Sequence, residues 1–276
     1  MVRKIIIAGS GTTHGLYRSC GRRRSFARMT PLPVLVVSDI HLGAIDLEQE
    51  RRFRRWLEAA ADRTRHLVIN GDLFDFWFEY GSVIPRGYTR TLAILAAMVD
   101  SGLRVDFLGG NHDWWGGSYL EEEVGVHFHR DPVELDLAGH RTLVAHGDGL
   151  GRGDLGYRAL RMVLRGGLTR WGFRWLHPDV GAKIARRVSR TETREAGPVP
   201  PSRERVAALE RWARDQLLED DDLDLVILGH THHPQRKEIS PGRFYINSGD
   251  WIHHCSWVEI HQGEPPRLHT LPDAER

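Results

Sequence analysis

The chain has 276 residues, 41% of them hydrophobic, which is enough to bury a substantial core and favours one large domain with an insertion over two equal domains. Lys plus Arg total 38 and Asp plus Glu 37, so the formal charge of +1 supplies no global attraction to nucleic acid, and no such partner is expected. No apolar run approaches the roughly 20 residues that span a bilayer, and Cys20 and Cys255 stand in no CxxC pairing, which points to a reducing cytoplasm.

The first segment, residues 1–30, carries Arg3, Lys4, Arg18, Arg22, Arg23, Arg24 and Arg28 and no acid. It is expected to be a disordered basic tail, or the product of a start placed upstream of Met29. From Pro33 onward, short β-branched runs recur, each followed at once by a polar cluster. Val34-Leu35-Val36-Val37 leads into Asp39 and His41, His66-Leu67-Val68-Ile69 into Asn70-Gly71-Asp72, and Val105-Asp106-Phe107-Leu108 into Gly110-Asn111-His112-Asp113. Later, Thr142-Leu143-Val144-Ala145 leads into His146-Gly147-Asp148, and Leu225-Val226-Ile227-Leu228 into Gly229-His230-Thr231-His232.

Between the first strands, Leu47 to Ala61 and Thr89 to Ser101 repeat apolar residues at three- and four-residue spacing, the helical pattern. Alternating strand and helix predicts an α/β fold, in which ligands gather at the carboxyl ends of the strands, where all these clusters fall. Residues 152–222 carry no comparable strand and are expected to form an inserted helical cap, broken at Pro198 to Pro201. Phe244-Tyr245-Ile246-Asn247 and Ser256-Trp257-Val258-Glu259-Ile260 look like an antiparallel hairpin, and residues 263–276 like a trailing segment.

Asp39-x-His41 places an oxygen and an imidazole two positions apart, and in an extended segment such side chains face the same way, so one ion can take both. His230-x-His232 repeats the spacing, with Asp72, Asn111 and His146 between. Any one pair alone reads more readily as a turn or helix cap. Five in succession, each directly after a strand, point instead to a metal centre. Mixed nitrogen and oxygen donors suit manganese, iron, zinc or cobalt, and the lack of thiolates argues against a structural zinc. Two ions sharing the carboxylate of Asp72 would acidify a water and clamp a phosphoryl group during in-line displacement, with Asp75 orienting a ligand imidazole.

The series Asp39-x-His41, Gly71-Asp72-x-x-Asp75, Gly110-Asn111-His112-Asp113, His146 and Gly229-His230-Thr231-His232 resembles the calcineurin-like metallophosphoesterases. That resemblance implies a four-layer α-β-β-α sandwich over 31–262, two divalent ions, and an enzyme. One ion would take Asp39, His41, Asp72 and His232, the other Asp72, Asn111, His146 and His230. It also implies a catalytic role for His112 beside the scissile phosphate, with Asp113 orienting it.

Longer strings, Gly71-Asp72-Leu73-Phe74-Asp75-Phe76-Trp77, His146-Gly147-Asp148-Gly149-Leu150 and Tyr245-Ile246-Asn247-Ser248-Gly249-Asp250-Trp251, are similar to a narrower branch, the UDP-2,3-diacylglucosamine diphosphatases of lipid A synthesis. The likeness implies cleavage of a lipid-linked UDP-sugar at its pyrophosphate, commonly with manganese. It also implies substrate contacts from Asp148, Asp154, Tyr157 and Arg161. Best-known members of the branch have arginine at the position of His112 and an Asp-Asp pair where this chain has Gly153-Asp154. Between Arg152 and Arg194 there are eleven Lys or Arg against three Asp or Glu, interleaved with Leu160, Met162, Leu168, Trp171 and Trp175. Such a cap could receive acyl chains and rest on an anionic membrane surface as a peripheral contact. The competing expectations are another phosphodiesterase or phosphatase of the same superfamily, acting on nucleotides, nucleotide sugars or phosphoproteins, and a scaffold that keeps the fold without chemistry.

Overall fold

The computed structural model describes residues 31–151, 155–188 and 202–272, the side chains at 155, 157 and 185–188 excepted. Its first sheet begins with β1 (Val34–Val37), apolar and buried at every position, as a strand covered on both faces must be. Helix α1 (Leu47–Ala61) follows, started by Asp46, whose carboxylate accepts the Gln49 N–H at 2.8 Å. Phe53, Trp56, Leu57 and Ala60 give α1 its buried stripe. Next come β2 (His66–Asn70), α2 (Thr89–Asp100), β3 (Arg104–Leu108), one π-helical turn (Tyr119–Glu123) and β4 (His127–His129).

The second sheet collects β5 (Val133–Leu137), β6 (His140–Val144), β7 (Leu225–Leu228), β8 (Gln235–Ser240) and β9 (Arg243–Asn247). Between β6 and β7 run α3 (Leu155–Arg165), α4 (Gly167–Arg174), α5 (Pro178–Val188) and α6 (Arg203–Glu219). The chain then returns to the first sheet with β10 (Ser256–Ile260) and β11 (Arg267–Thr270). Strand order is β11-β10-β1-β2-β3-β4 in one sheet and β5-β6-β7-β9-β8 in the other.

Strand parity explains the layering. Leu35, Val37, Leu67, Ile69, Val105 and Phe107 pack with the buried stripes of α1 and α2, while the alternate residues Val34, Val36, Val68 and Leu108 meet Leu225, Ile227, Phe244 and Ile246 of the facing sheet. The far face of that sheet, Val226, Leu228 and Tyr245, is covered by Leu209, Ala213 and Leu217 of α6. The result is the four-layer α-β-β-α sandwich. Burial of each such Leu or Val contributes about 1.5–3 kcal/mol, so the parallel strands β1, β2 and β3 are rigid mounts for whatever their carboxyl ends carry.

Three expectations need correction. Phe244–Asn247 and Ser256–Ile260 are not a hairpin: β9 lies between β7 and β8, and β10 pairs antiparallel with β1 in the other sheet. The connecting segment passes the end of β1, where the Trp251 main-chain N–H donates to the Asp39 carbonyl at 3.0 Å. The trailing segment contains β11, paired along β10 from Ser256↔Thr270 to Glu259↔Arg267; its mostly polar side chains gave no apolar pattern to read. Finally, α6 belongs to the sandwich because its apolar stripe is buried against β7 and β9. The candidate cap is therefore narrower than 152–222, and among the described residues it comprises α3, α4 and α5.

Candidate metal centre

Every predicted donor sits just beyond a strand end. Asp39 and His41 follow β1, Asp72 follows β2, Asn111 and His112 follow β3, His146 follows β6, and His230 and His232 follow β7. Their potential ligand atoms form three groups, each within 4.8 Å: Asp39 with His41 and His232, His41 with Asp72 and His112, and Asp72 with His146 and His230. His232 Nε2 lies 3.3 Å from Asp39 Oδ1, and His146 Nε2 lies 3.2 Å from Asp72 Oδ2. Asp72 joins the groups, since its Oδ2 is also 3.8 Å from His41 Nε2 and 4.0 Å from His112 Nε2.

The local backbone departs from the extended geometry inferred from the Asp-x-His spacing. Asp39, His41, Asp72, His230 and His232 all have positive φ, from 52° to 66°. Such left-handed backbone costs a non-glycine residue of order 1–3 kcal/mol and persists only where its surroundings over-determine it. Here they do. Ile40 and His41 both donate main-chain N–H bonds to the Asp72 carbonyl, at 2.9 and 3.0 Å, and the His230 N–H donates to Asp39 Oδ2 at 3.0 Å. The glycines beside the donors serve close approach: a Cβ on Gly110 would lie 2.1 Å from Asp72 Oδ1, and one on Gly229 2.6 Å from Asp39 Oδ2.

Asp113 does not orient His112. Fully buried, it accepts main-chain N–H bonds from Asp72, Leu73, Phe74 and Gly110 at 3.2, 2.7, 3.3 and 2.8 Å, and so ties the Asp72 loop to the Gly110 loop. Burial, then the nearby Asp72 charge, pushes its carboxyl up to about 7, while the N–H donors of Gly110 and Phe74 pull the other way. Asp75 orients His112 instead, its main-chain carbonyl lying 2.7 Å from His112 Nδ1. Because a carbonyl only accepts, Nδ1 carries a proton and Nε2 faces the donors. The same logic applies to His146, whose Nδ1 is 2.8 Å from the Asn70 carbonyl, so Nδ1 carries a proton and Nε2 is the nitrogen turned towards Asp72.

Electrostatics separate the imidazoles. Burial, and then the charge of His146, lowers His230 to about 4, and burial also lowers His41, so both offer lone pairs at neutral pH. Burial opposes charge on His232 and His146 too. There it is overcome, by the hydrogen bond and charge of Asp39 at His232, raised to about 9, and by Asp72 and Asp39 at His146, raised well above the usual value. Burial opposes charge on Asp72 as well, but the surrounding imidazoles, His146 first, hold it well below the carboxylate range.

This donor set fits divalent cations. Asn111 Oδ1 and His146 Nε2 are buried without a hydrogen-bond partner, and the converging groups are hard oxygen and imidazole nitrogen with no sulfur. Cation binding would replace protons on His146 and His232, so affinity should rise with pH.

The calcineurin-like phosphoesterase family profile matches residues 32–234. The chain belongs to this family. As a calcineurin-like phosphoesterase it is a metal-dependent hydrolase, and its strand-end clusters lie within the matched span. Its relatives include a protein named UDP-2,3-diacylglucosamine hydrolase from Porphyromonas gingivalis, 30% identical over 88% of this chain and 98% of that protein. Proteins of the same name from Aeromonas salmonicida and Pseudomonas aeruginosa are each 31% identical, over 87% and 80% of this chain and 95% and 91% of theirs.

Of the expected substrate contacts, Asp148 and Arg161 lie beside His146 on one cleft wall. Asp154 and the side chain of Tyr157 are outside the described residues, as is the basic tail, residues 1–30. Sequence reasoning missed Arg165, which donates to Asp148 Oδ2 at 2.8 Å. Its four-residue spacing from Arg161 along α3 was the available clue.

Proposed function

We propose that this phosphoesterase hydrolyses the pyrophosphate bond of UDP-2,3-diacylglucosamine, releasing UMP and 2,3-diacylglucosamine 1-phosphate, with two divalent ions, manganese foremost. The observation that carries this reading is the pairing of a phosphoesterase donor set with an apolar surface suited to acyl chains. On α3 and α4, Met162 is 75% exposed, Leu168 82% and Trp171 63%, with Trp175 just after α4 at 77%. Arg158, Arg161, Arg165, Arg170 and Arg174 are interleaved with them. The names of the relatives point the same way.

Asp39, His41, Asp72 and His232 would hold one ion, and Asp72, Asn111, His146 and His230 the other. Bound there, the ions would supply a nucleophilic water at neutral pH and neutralise phosphoryl charge. His112 has its Nδ1 proton committed to the Asp75 carbonyl, so its Nε2 is the atom that would bond a phosphoryl or leaving-group oxygen. Asp113 holds the loops that carry Asp72 and Asn111 in register. Among the described residues no helix is long and apolar enough to cross a membrane. Contact with the lipid would then be peripheral, on the cytoplasmic side, through the basic and apolar surface of α3–α5.

Mass spectrometry of products after incubating the manganese-loaded chain with UDP-2,3-diacylglucosamine tests the reading, with a metal-free control and a generic phosphodiester alongside. Metal-dependent appearance of UMP and the diacyl sugar phosphate is expected. Cleavage of the generic ester alone would remove the lipid substrate and favour another nucleotide or phosphoprotein phosphoesterase.

A further inference from the structure

Beside the His146 group, an open cleft runs between the end of β3, the β4–β5 connection, the His146–Leu150 loop and α3. Asp148 organises its wall. Arg165 Nη2 donates to Asp148 Oδ2 at 2.8 Å, Arg161 Nε lies 3.5 Å from the same oxygen, and Arg161 Nη1 donates to the Asp148 main-chain carbonyl. Arg165 also reaches the Gly110 carbonyl at 3.4 Å, and its guanidinium lies 4.8 Å from the centroid of the Trp114 ring. One α3 side chain thus touches both the loop that precedes Asn111 and the loop that follows His146.

The ionised side chains lining the cleft are Arg130, Arg161 and Arg165 against Asp131 and Asp148, with the imidazole of His146 beside them. A cationic wall at this place has a chemical consequence. In a single phosphate ester the only phosphoryl group is the one under attack. A diphosphate diester brings a second, non-reacting phosphoryl group whose charge needs donors of its own. Guanidinium groups match phosphoryl oxygens geometrically and hold them bidentately, and Asp148 fixes both of these groups in place before any ligand arrives.

We propose that Arg161 and Arg165 form a subsite for the non-reacting phosphoryl group of a diphosphate diester, making this site selective for phosphoanhydrides over single phosphate esters. This rests on the pyrophosphatase reading above, but not on acyl chains. It also explains why the cap is anchored at the metal loops: the residues that anchor it are the ones that meet the second phosphate.

The test is calorimetric titration of the manganese-loaded full chain with two probes, the non-hydrolysable methylene-bridged analogue of UDP-glucose and the methyl ester of UMP. Tighter binding of the two-phosphorus probe by about tenfold to a hundredfold is expected, the range for charge-assisted hydrogen bonds. Arg165→Ala and Arg161→Ala should each bring the ratio towards one. Arg165→Lys, which keeps the charge and loses the fork, should restore part of it, with metal content measured on every sample. Equal affinities in the unaltered chain, or variants in which both affinities move together, would overturn the proposal. If UDP-2,3-diacylglucosamine is not cleaved while the ratio holds, the lipid substrate is wrong and the phosphoryl subsite stands.

Discussion

At the strand ends, Asp39, His41, Asp72 and His146 are all 4% exposed or less, and their loops are knit by main-chain bonds across β1, β2 and β3. On the cap, Leu168 and Trp175 are 82% and 77% exposed. The cap meets the metal loops through side chains at its inner edge: Arg161 and Arg165 to Asp148, Arg165 to Gly110, the Trp115 indole N–H to the Leu164 carbonyl at 3.3 Å, Arg165 and Arg170 over the Trp114 ring, and Phe173 against the rings of Phe76 and Phe78. The two regions divide the work. Phosphoryl chemistry needs donors placed to a fraction of an ångström, so it is mounted on buried strands. Under the function proposed above, selection of a large amphipathic ligand would fall to helices that bury little of their own apolar face.

Removing the shared carboxylate is the most direct attack on the rigid half. Asp72→Ala should reduce metal-dependent hydrolysis to background while circular dichroism stays native, and retained activity would remove Asp72 from the bridging position. His112→Ala should lower turnover by about 10²–10⁴-fold with bound metal unchanged by elemental analysis; loss of metal instead would make His112 a ligand. Asp113→Ala tests the internal support, because it leaves the N–H groups of Asp72, Leu73, Phe74 and Gly110 without their acceptor. Metal affinity should fall about 10–100-fold and the thermal midpoint should drop, whereas an unchanged midpoint would show that the loops hold themselves.

The cap should behave in the opposite way. Trp171→Ser combined with Trp175→Ser is expected to raise KM for the diacylated substrate about tenfold or more through lost apolar contact, while turnover of a small phosphodiester changes little. A parallel loss on both substrates would mean the cap serves the metal loops rather than the lipid.

The smallest effect lies in the scaffold. Buried Asp106 meets His129 Nε2 at 2.7 Å, His66 Nε2 at 2.6 Å and Arg104 Nε at 2.7 Å. Burial alone would raise its carboxyl, but these partners hold it well below the usual range. A depressed folded-state pKa contributes stability that is complete above about pH 4 and is lost as pH falls through the folded value. Asp106→Asn should therefore lower the denaturant midpoint at pH 7, and the gap to the unaltered chain should close in acid. A gap that widened on acidification would refute the assignment.

Much of the fold could be read from residue patterns. Strands β1 and β7 have their read boundaries, and α1 spans Leu47–Ala61, because fully apolar runs and a capped amphipathic stripe are local properties. Strands β4, β8 and β11 were not read: they are short or lie at edges, and their mostly polar side chains leave too little apolar alternation, whereas β5 does alternate Val133, Leu135 and Leu137 with two acids and its signal was passed over. The destination of β9 and β10 was misread for a different reason. Proximity in sequence favours a hairpin, but the pairing partner of a strand is chosen by which sheet can bury its faces.

The sequence by itself determined the chemistry of this protein, since Asp, His and Asn directly after buried strands can only converge where parallel strands end together. Only the tertiary structure decided how the donors are held. The left-handed backbone at Asp39, His41, Asp72, His230 and His232, the Asp113 tie between two loops, and the Asp75 carbonyl behind His112 all depend on contacts between segments about 30 to 190 residues apart. The same holds for Arg165, one basic residue among many on α3, whose meaning comes from the cleft wall it shares with Asp148 and His146. Local sequence encodes which groups are present and where strands stop; long-range packing sets the angle and the charge at which they meet.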